Sequence, residues 1–189
     1  MANKFVAIVG MVGAGKTTAA NYLEKKSFNY LRFGQVVMDE LEKRKLSVCE
    51  KNEKAVREGL RKKHGMAVMA KLNYPRIKEA LKKTSVVGDG LYSWAEYLYL
   101  KEKLKEKMVV LALYASPKIR YQRITSRQER ALSAKLAQSR DYADIENIQK
   151  AGPIAMADYT IINEGTVKKL QRALDQFLKK LKLNGPSNQ

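Results

Sequence analysis

Eight residues near the N-terminus, Gly10-Met11-Val12-Gly13-Ala14-Gly15-Lys16-Thr17, fit the pattern G-x-x-x-x-G-K-[ST]. Glycines at these positions let the chain fold back so that successive backbone N–H groups face one anion, which bulky side chains would obstruct. A helix starting at the end of the loop adds its positive N-terminal end. Lys16 supplies a charge for the outer phosphates of a nucleoside triphosphate, and the Thr17 hydroxyl is placed to ligate Mg²⁺. The chemistry is phosphate binding. Its expected residues are Gly10, Val12, Gly13, Ala14, Gly15, Lys16, Thr17 and Thr18.

Other residues could complete a reaction centre. Asp89 ends the apolar stretch Val86-Val87-Gly88-Asp89-Gly90. A carboxylate at the end of a strand beside the loop would share the hydrated metal with Thr17, and the plain alternative is a turn-forming Asp-Gly. Arg120, Arg123, Arg127, Arg130 and Arg140 form an arginine series. Phosphoryl transfer spreads negative charge over equatorial oxygens, which planar guanidinium groups stabilise in a closed site. The i, i+3, i+7 spacing of Arg120, Arg123 and Arg127 sets one helical face, which fits this role and a solvated basic face alike. Arg123 and Arg127 are the expected catalytic arginines, with Lys16 and Asp89. His64, in Lys-Lys-His-Gly near a helix end, reads as solvated. Tyr92, Trp94, Tyr97 and Tyr99 read as helix packing rather than base stacking.

The elements that must position these residues alternate between strand and helix patterns, which predicts an α/β fold with a mostly parallel sheet. Strands are expected at Lys4–Val9, Tyr30–Phe33, Ser85–Gly88, Met108–Tyr114 and Tyr159–Ile162. Lys4–Val9, rich in β-branched residues, reads as a central strand buried on both faces. Helices are expected over Thr17–Lys26, Gly34 to about Arg44, Lys51–Lys63 and Met66–Lys82. Others run from a Ser93 cap to about Glu106, from Ser116-Pro117, over Ala134–Gln149 and over Thr166–Leu181.

Composition sets the outer bounds. At 189 residues and 45% hydrophobic, the chain suffices for one domain with a sizeable core. Its apolar runs fall well short of the ~20 residues of a membrane-spanning helix. The first residues run into a strand pattern with no signal peptide expected, and a cytoplasmic, non-membrane protein is the reading. The single cysteine, Cys49, excludes an internal disulfide framework and a cysteine-rich zinc site. Lys and Arg number 37 against 19 Asp and Glu, a net charge of +18. Such an excess suits nucleotides, nucleic acid or another polyanion. Glu42–Lys83 holds half of it, with 14 basic and 5 acidic residues.

The strand–loop–helix start, the Asp89-Gly90 strand end, Ala115-Ser116-Pro117-Lys118 with Arg120 and Arg123, and Ala157-Asp158-Tyr159 through Asn163-Glu164-Gly165 together resemble the predicted nucleotide kinases related to dephospho-CoA kinase and adenylate kinase. The resemblance runs to about Leu178. It implies a P-loop NTPase three-layer sandwich with a five-stranded parallel sheet, in a single kinase-like domain over 1–183, with a loose polar tail at 184–189. A helical acceptor-binding lobe near 34–83 and a lid near 125–139 are implied as well. An adenine-binding turn would lie at Asn163–Gly165, with Arg123 beside the nucleotide. Two departures concern the acceptor. Gly34-Gln35-Val36-Val37-Met38 lacks the arginine often found in the helix after strand two, and Asp89-Gly90-Leu91-Tyr92 lacks the one that often follows the strand end. Arg32, Arg57, Arg61, Lys62 or Arg76 would have to replace them.

The expectation is an ATP- and Mg²⁺-dependent phosphotransferase acting on a small anionic acceptor, a nucleotide or dephospho-CoA-like molecule. Asp39, Arg57, Arg61, Arg76 and Arg140 are its acceptor-side residues. Arg57 and Arg61, four apart on a helix, are expected to converge on one phosphate. The competing expectation is a nucleotide-gated protein whose basic lobe holds RNA or DNA, or a kinase acting on nucleic acid. Oligomeric state is left open.

Overall fold

The computed structural model describes residues 2–127 and 131–183. Arg130, the middle of the expected lid and the expected tail lie outside the described residues. Five strands, β1 (Phe5–Val9), β2 (Asn29–Arg32), β3 (Val86–Asp89), β4 (Met108–Tyr114) and β5 (Tyr159–Ile162), form one sheet in the order β2-β3-β1-β4-β5. Every pairing is parallel. Parallel strands need helical crossovers, and helices on both faces bury the sheet. Hence the unbroken apolar runs: all five residues of β1 and six of the seven in β4 are buried.

Successive side chains of β1 enter different cores, as strand geometry requires. Phe5, Ala7 and Val9 pack with Phe33, Leu41, Ile77 and Leu100 on one face. Val6 and Ile8 pack with Leu23, Leu174 and Phe177 on the other. The helices are α1 (Lys16–Glu24), α2 (Gln35–Lys43), α3 (Glu50–His64), α4 (Val68–Ala80), α5 (Trp94–Leu104), α6 (Pro117–Thr125), α7 (Ala134–Ile148), α8 (Ala151–Ala155) and α9 (Val167–Leu183). Among the described residues no helix is long and apolar enough to cross a membrane.

The α/β parallel sheet, the three layers and all five strands fall where the sequence places them. Ser93 caps α5 in a complete capping box with Glu96. Three details differ. Helix α6 stops at Thr125, so Arg127 lies beyond it and does not share a helical face with Arg120 and Arg123. A 3₁₀ turn at Lys105–Lys107 closes α5. The short α8 was not foreseen, because Gly152-Pro153 reads as a break; proline there occupies the first turn, where no intrahelical N–H bond is required.

Candidate active site

The Gly10–Thr17 loop joins the end of β1 to α1, at the edge where all five parallel strands finish. Its tight path is fixed by contacts that exclude side chains. At Gly13 (φ 81) a Cβ would fall 2.7 Å from the Arg120 carbonyl oxygen, and at Gly15 (φ 96) it would collide with the Asn163 amide. Arg120 is buried and donates to the carbonyls of Ala115 (3.0 Å) and Val12 (3.0 Å) and to Asp141 (2.6 Å). Asn163 Nδ2 donates to the Ala14 carbonyl at 2.9 Å. The loop is therefore held from α6 and from Asn163 just past β5, with Gly13 and Gly15 pressed against those supports.

Lys16 donates from Nζ to the carbonyls of Gly10 (3.0 Å) and Met11 (3.1 Å). Burial, followed by the charge of Lys150, lowers its pKa to about 7. A half-buried ammonium solvated by two carbonyls gains from an incoming anion. Thr17 Oγ1 donates to Asp89 Oδ2 at 2.9 Å, and the Tyr30 hydroxyl donates to the same oxygen at 3.1 Å. Burial and the Asp89 carboxylate push the Tyr30 phenol above its usual range, so it stays a hydrogen-bond donor.

Tyr92 stands just past Asp89, where an arginine was the expected pattern, and it was read as packing. Its ring lies 4.8 Å from Lys150 Nζ and 6.0 Å from Lys16 Nζ. Burial and Asp89 raise its phenol to about 12, while Arg140 and Arg32 pull it down. Lys150 is only 3% exposed and pairs with Asp144 at 2.6 Å. Burial lowers its pKa, and Asp144 offsets part of that. No motif marks this lysine in the sequence. It follows α7 through the left-handed Gln149 (φ 52), whose neighbours carry no motif.

The remaining expected residues fall elsewhere. Arg123 donates to the carbonyls of Asn163 (2.8 Å) and Gly165 (3.3 Å), which ties it to the 163–165 turn. Arg127 acts on Lys16 electrostatically. Arg140, on α7, acts on Tyr92 and Lys150. Asp39 and Arg76, both offered to the acceptor, pair with each other at 2.6 Å across α2 and α4. Arg57 and Arg61, also expected on the acceptor side, stand beside carboxylates: Arg57 lies 3.7 Å from Glu53 and Arg61 lies 4.0 Å from the fully buried Glu96. Both guanidinium groups answer carboxylates of the helical layers.

The geometry fits Mg²⁺ and a polyphosphate. Thr17 and Asp89 offer hard oxygen donors side by side, enough for an ion that keeps most of its water. Side chains at Gly13 and Gly15 would strike Arg120 and Asn163, so only glycine lets the loop pack this closely against its supports.

A family model described as an AAA domain, AAA_18, matches residues 6–149. The chain belongs to the AAA_18 family. It is 28% identical over 180 residues to a UPF0200 protein of Thermococcus gammatolerans, covering 93% of this chain and 94% of that one. Among solved structures, it resembles TT1252 from Thermus thermophilus (21% identity, TM-score 0.65, covering 96% and 99% of the chains). It also resembles shikimate kinase from Acinetobacter baumannii in complex with shikimate (21% identity, TM-score 0.59, 96% of each chain). This AAA_18 chain has the P-loop kinase fold, and the phosphate loop lies within the matched residues.

Proposed function

We propose that the protein is an ATP-dependent kinase that transfers the γ-phosphoryl group to a small anionic acceptor. The observation that carries the reading is the loop-end constellation: Lys16, half-buried, held by loop carbonyls, with Thr17 and Asp89 bonded beside it. The loop N–H groups and Lys16 hold the donor phosphates, and Asn163 and Arg120 keep the loop from collapsing. When bound, Mg²⁺ at Thr17 and Asp89 neutralises charge on the β- and γ-oxygens. An acceptor oxygen forms the new bond to the γ-phosphorus as the bond to the β–γ bridging oxygen breaks, and ADP leaves with the electron pair. A phosphate acceptor needs no base, whereas a hydroxyl acceptor passes its proton to Asp89.

Lys150 supplies a second cation beside the Tyr92 ring that Lys16 also approaches, available to charge that develops on the transferring group. Arg127 adds to the same field. Arg123 with Asn163 and Gly165 shapes the adenine side. On the acceptor side, Arg32 and Arg140 are the cations nearest in effect to Tyr92. They favour an acceptor bearing a carboxylate or phosphate, which includes nucleoside monophosphates and dephospho-CoA-like molecules.

The test is an assay with γ-labelled ATP and Mg²⁺ across nucleoside monophosphates, dephospho-CoA and small hydroxy-carboxylates. Label should pass to at least one of them. Absence of transfer, of ATP hydrolysis and of MgATP binding would overturn the reading.

A further inference from the structure

Helices α4 and α5 run back along the sheet and finish where β3 and β4 begin, at the edge opposite the phosphate loop. An open groove of about 590 Å³ lies between them, with Tyr74, Lys78, Lys82, Lys103, Lys105 and Lys107 on its walls. Lys4 Nζ also reaches this edge, donating to the Glu106 carbonyl at 2.8 Å. Residues 78–83 and 101–107 together with Lys4 carry eight lysines against three glutamates. A helix C-terminus attracts cations because it bears roughly half a negative charge. Two such ends account for about one charge of the surplus, so most of it has no local purpose in the fold.

The lysines differ in their engagement. Lys82 pairs with Glu79 at 2.6 Å and Lys103 with Glu102 at 2.8 Å. Among the described residues, Lys78, Lys105 and Lys107 form no ion pair. The wall also carries aromatic surface: the half-buried Tyr74 meets Tyr99 edge-on at 6.0 Å, and Lys103 Nζ stands 5.9 Å from the Tyr99 ring. A solvated lysine face on a single helix has neither concavity nor rings. Here the cations come from two helices and a 3₁₀ turn and surround a tyrosine.

We propose that this groove binds single-stranded nucleic acid, with backbone phosphates on Lys78, Lys105 and Lys107 and a base against Tyr74. Cations that track a backbone beside a ring offered to base faces are the two parts such binding needs. An acidic peptide would satisfy the lysines but leave the tyrosine unused. The inference stands apart from the kinase reading, because the groove shares no residue with the loop end.

Fluorescence anisotropy of labelled twelve-nucleotide oligouridine and oligothymidine at 50 and 200 mM NaCl tests it. The wild-type protein should bind at low salt and lose more than tenfold in affinity at the higher concentration, since each single-strand phosphate contact contributes about 0.7 to the logarithmic salt slope. Lys78→Glu, Lys105→Glu and Lys107→Glu combined should weaken binding at least tenfold and flatten that slope by about two, with ATP turnover unchanged. Lys25→Glu, Lys168→Glu and Lys179→Glu combined change the net charge equally at exposed lysines elsewhere, and should stay within threefold of wild type. Tyr74→Leu, checked for folding by circular dichroism, should weaken binding about fivefold or more. Three results would each overturn the proposal: no binding at 50 mM, equal losses in the two triple variants, or displacement of the oligonucleotide by polyglutamate as readily as by polyuridine.

Discussion

At the loop end, two ammonium groups are drawn partly or wholly out of water: the half-buried Lys16 against two carbonyls, and the buried Lys150 between a carboxylate and the Tyr92 ring. In the helical layer built from α2 to α4, the cations are numerous but face water or each other's carboxylates. Lys54–Glu58 at 3.8 Å leaves both side chains about two-thirds exposed, and Asp39–Arg76 is half exposed. Such surface pairs contribute roughly 0–1 kcal/mol. The contrast teaches that charge count and chemical leverage are separate properties. Half the net charge sits in 42–83, yet the cations held by carbonyls, a carboxylate and a ring lie elsewhere.

The largest expected effect breaks the loop end itself. Lys16→Ala should reduce phosphoryl transfer at least 10³-fold, about 4 kcal/mol, and leave the melting temperature within a few degrees because no core side chain is lost. Wild-type turnover in this variant would end the kinase reading. Next comes Lys150→Met, predicted to lower kcat about 10²-fold, about 2.7 kcal/mol, with the dissociation constant for MgATP nearly unchanged. Equal losses in binding and turnover would make Lys150 a ground-state contact instead of a transition-state one.

The helical layer should answer differently. Arg57→Ala with Arg61→Ala leaves Glu96 buried without its cation, and burial already raises the Glu96 carboxyl. The cost should be about 2 kcal/mol of stability, with the acceptor KM within threefold of wild type, whereas Arg32→Ala should raise that KM about tenfold. If urea denaturation finds the double variant as stable as wild type and its acceptor KM up tenfold, the acceptor site lies in the lobe after all.

The legibility of the molecule follows the range of the interactions. The central strands β1, β3 and β4 could be read because they bury both faces and so spell apolar runs, and the loop because its glycines stand at fixed spacing before Lys16 and Thr17. Asp89 could be read for the same reason, as a strand end beside that loop. Lys150 and Tyr92 could not. Their roles arise from α7, α8 and β3 meeting in space, and one buried lysine looks like any other in a chain with 37 basic residues. For Arg57 and Arg61 helical spacing gives one shared face, while the carboxylates they meet, from their own helix and from α5, could not be read from that spacing. Arg120 illustrates a third case, an arginine expected in a reactive series that instead braces Val12 of the loop.

A last prediction sharpens the comparison through pH. Lys16 titrates near 10.5 when unfolded and near 7 in the folded protein, because burial and Lys150 disfavour its charge. Between those values the unfolded chain binds more protons than the folded one, so stability should rise with pH across that window. The slope approaches about 1.4 kcal/mol per pH unit for one group. Lys150, also lowered by burial, adds in the same direction. Tyr30 and Tyr92, both raised, act oppositely once pH passes 10, where unfolded phenols ionise first. Urea denaturation without nucleotide, in EDTA, should therefore show stability climbing from pH 7 to 10 and then falling. Lys16→Met should flatten most of the climb. Reversing the exposed Lys54 to Glu should leave the climb unchanged. A flat wild-type profile would mean that Lys16 is hydrated in the folded protein, and the distinction between the two sets of cations would then disappear.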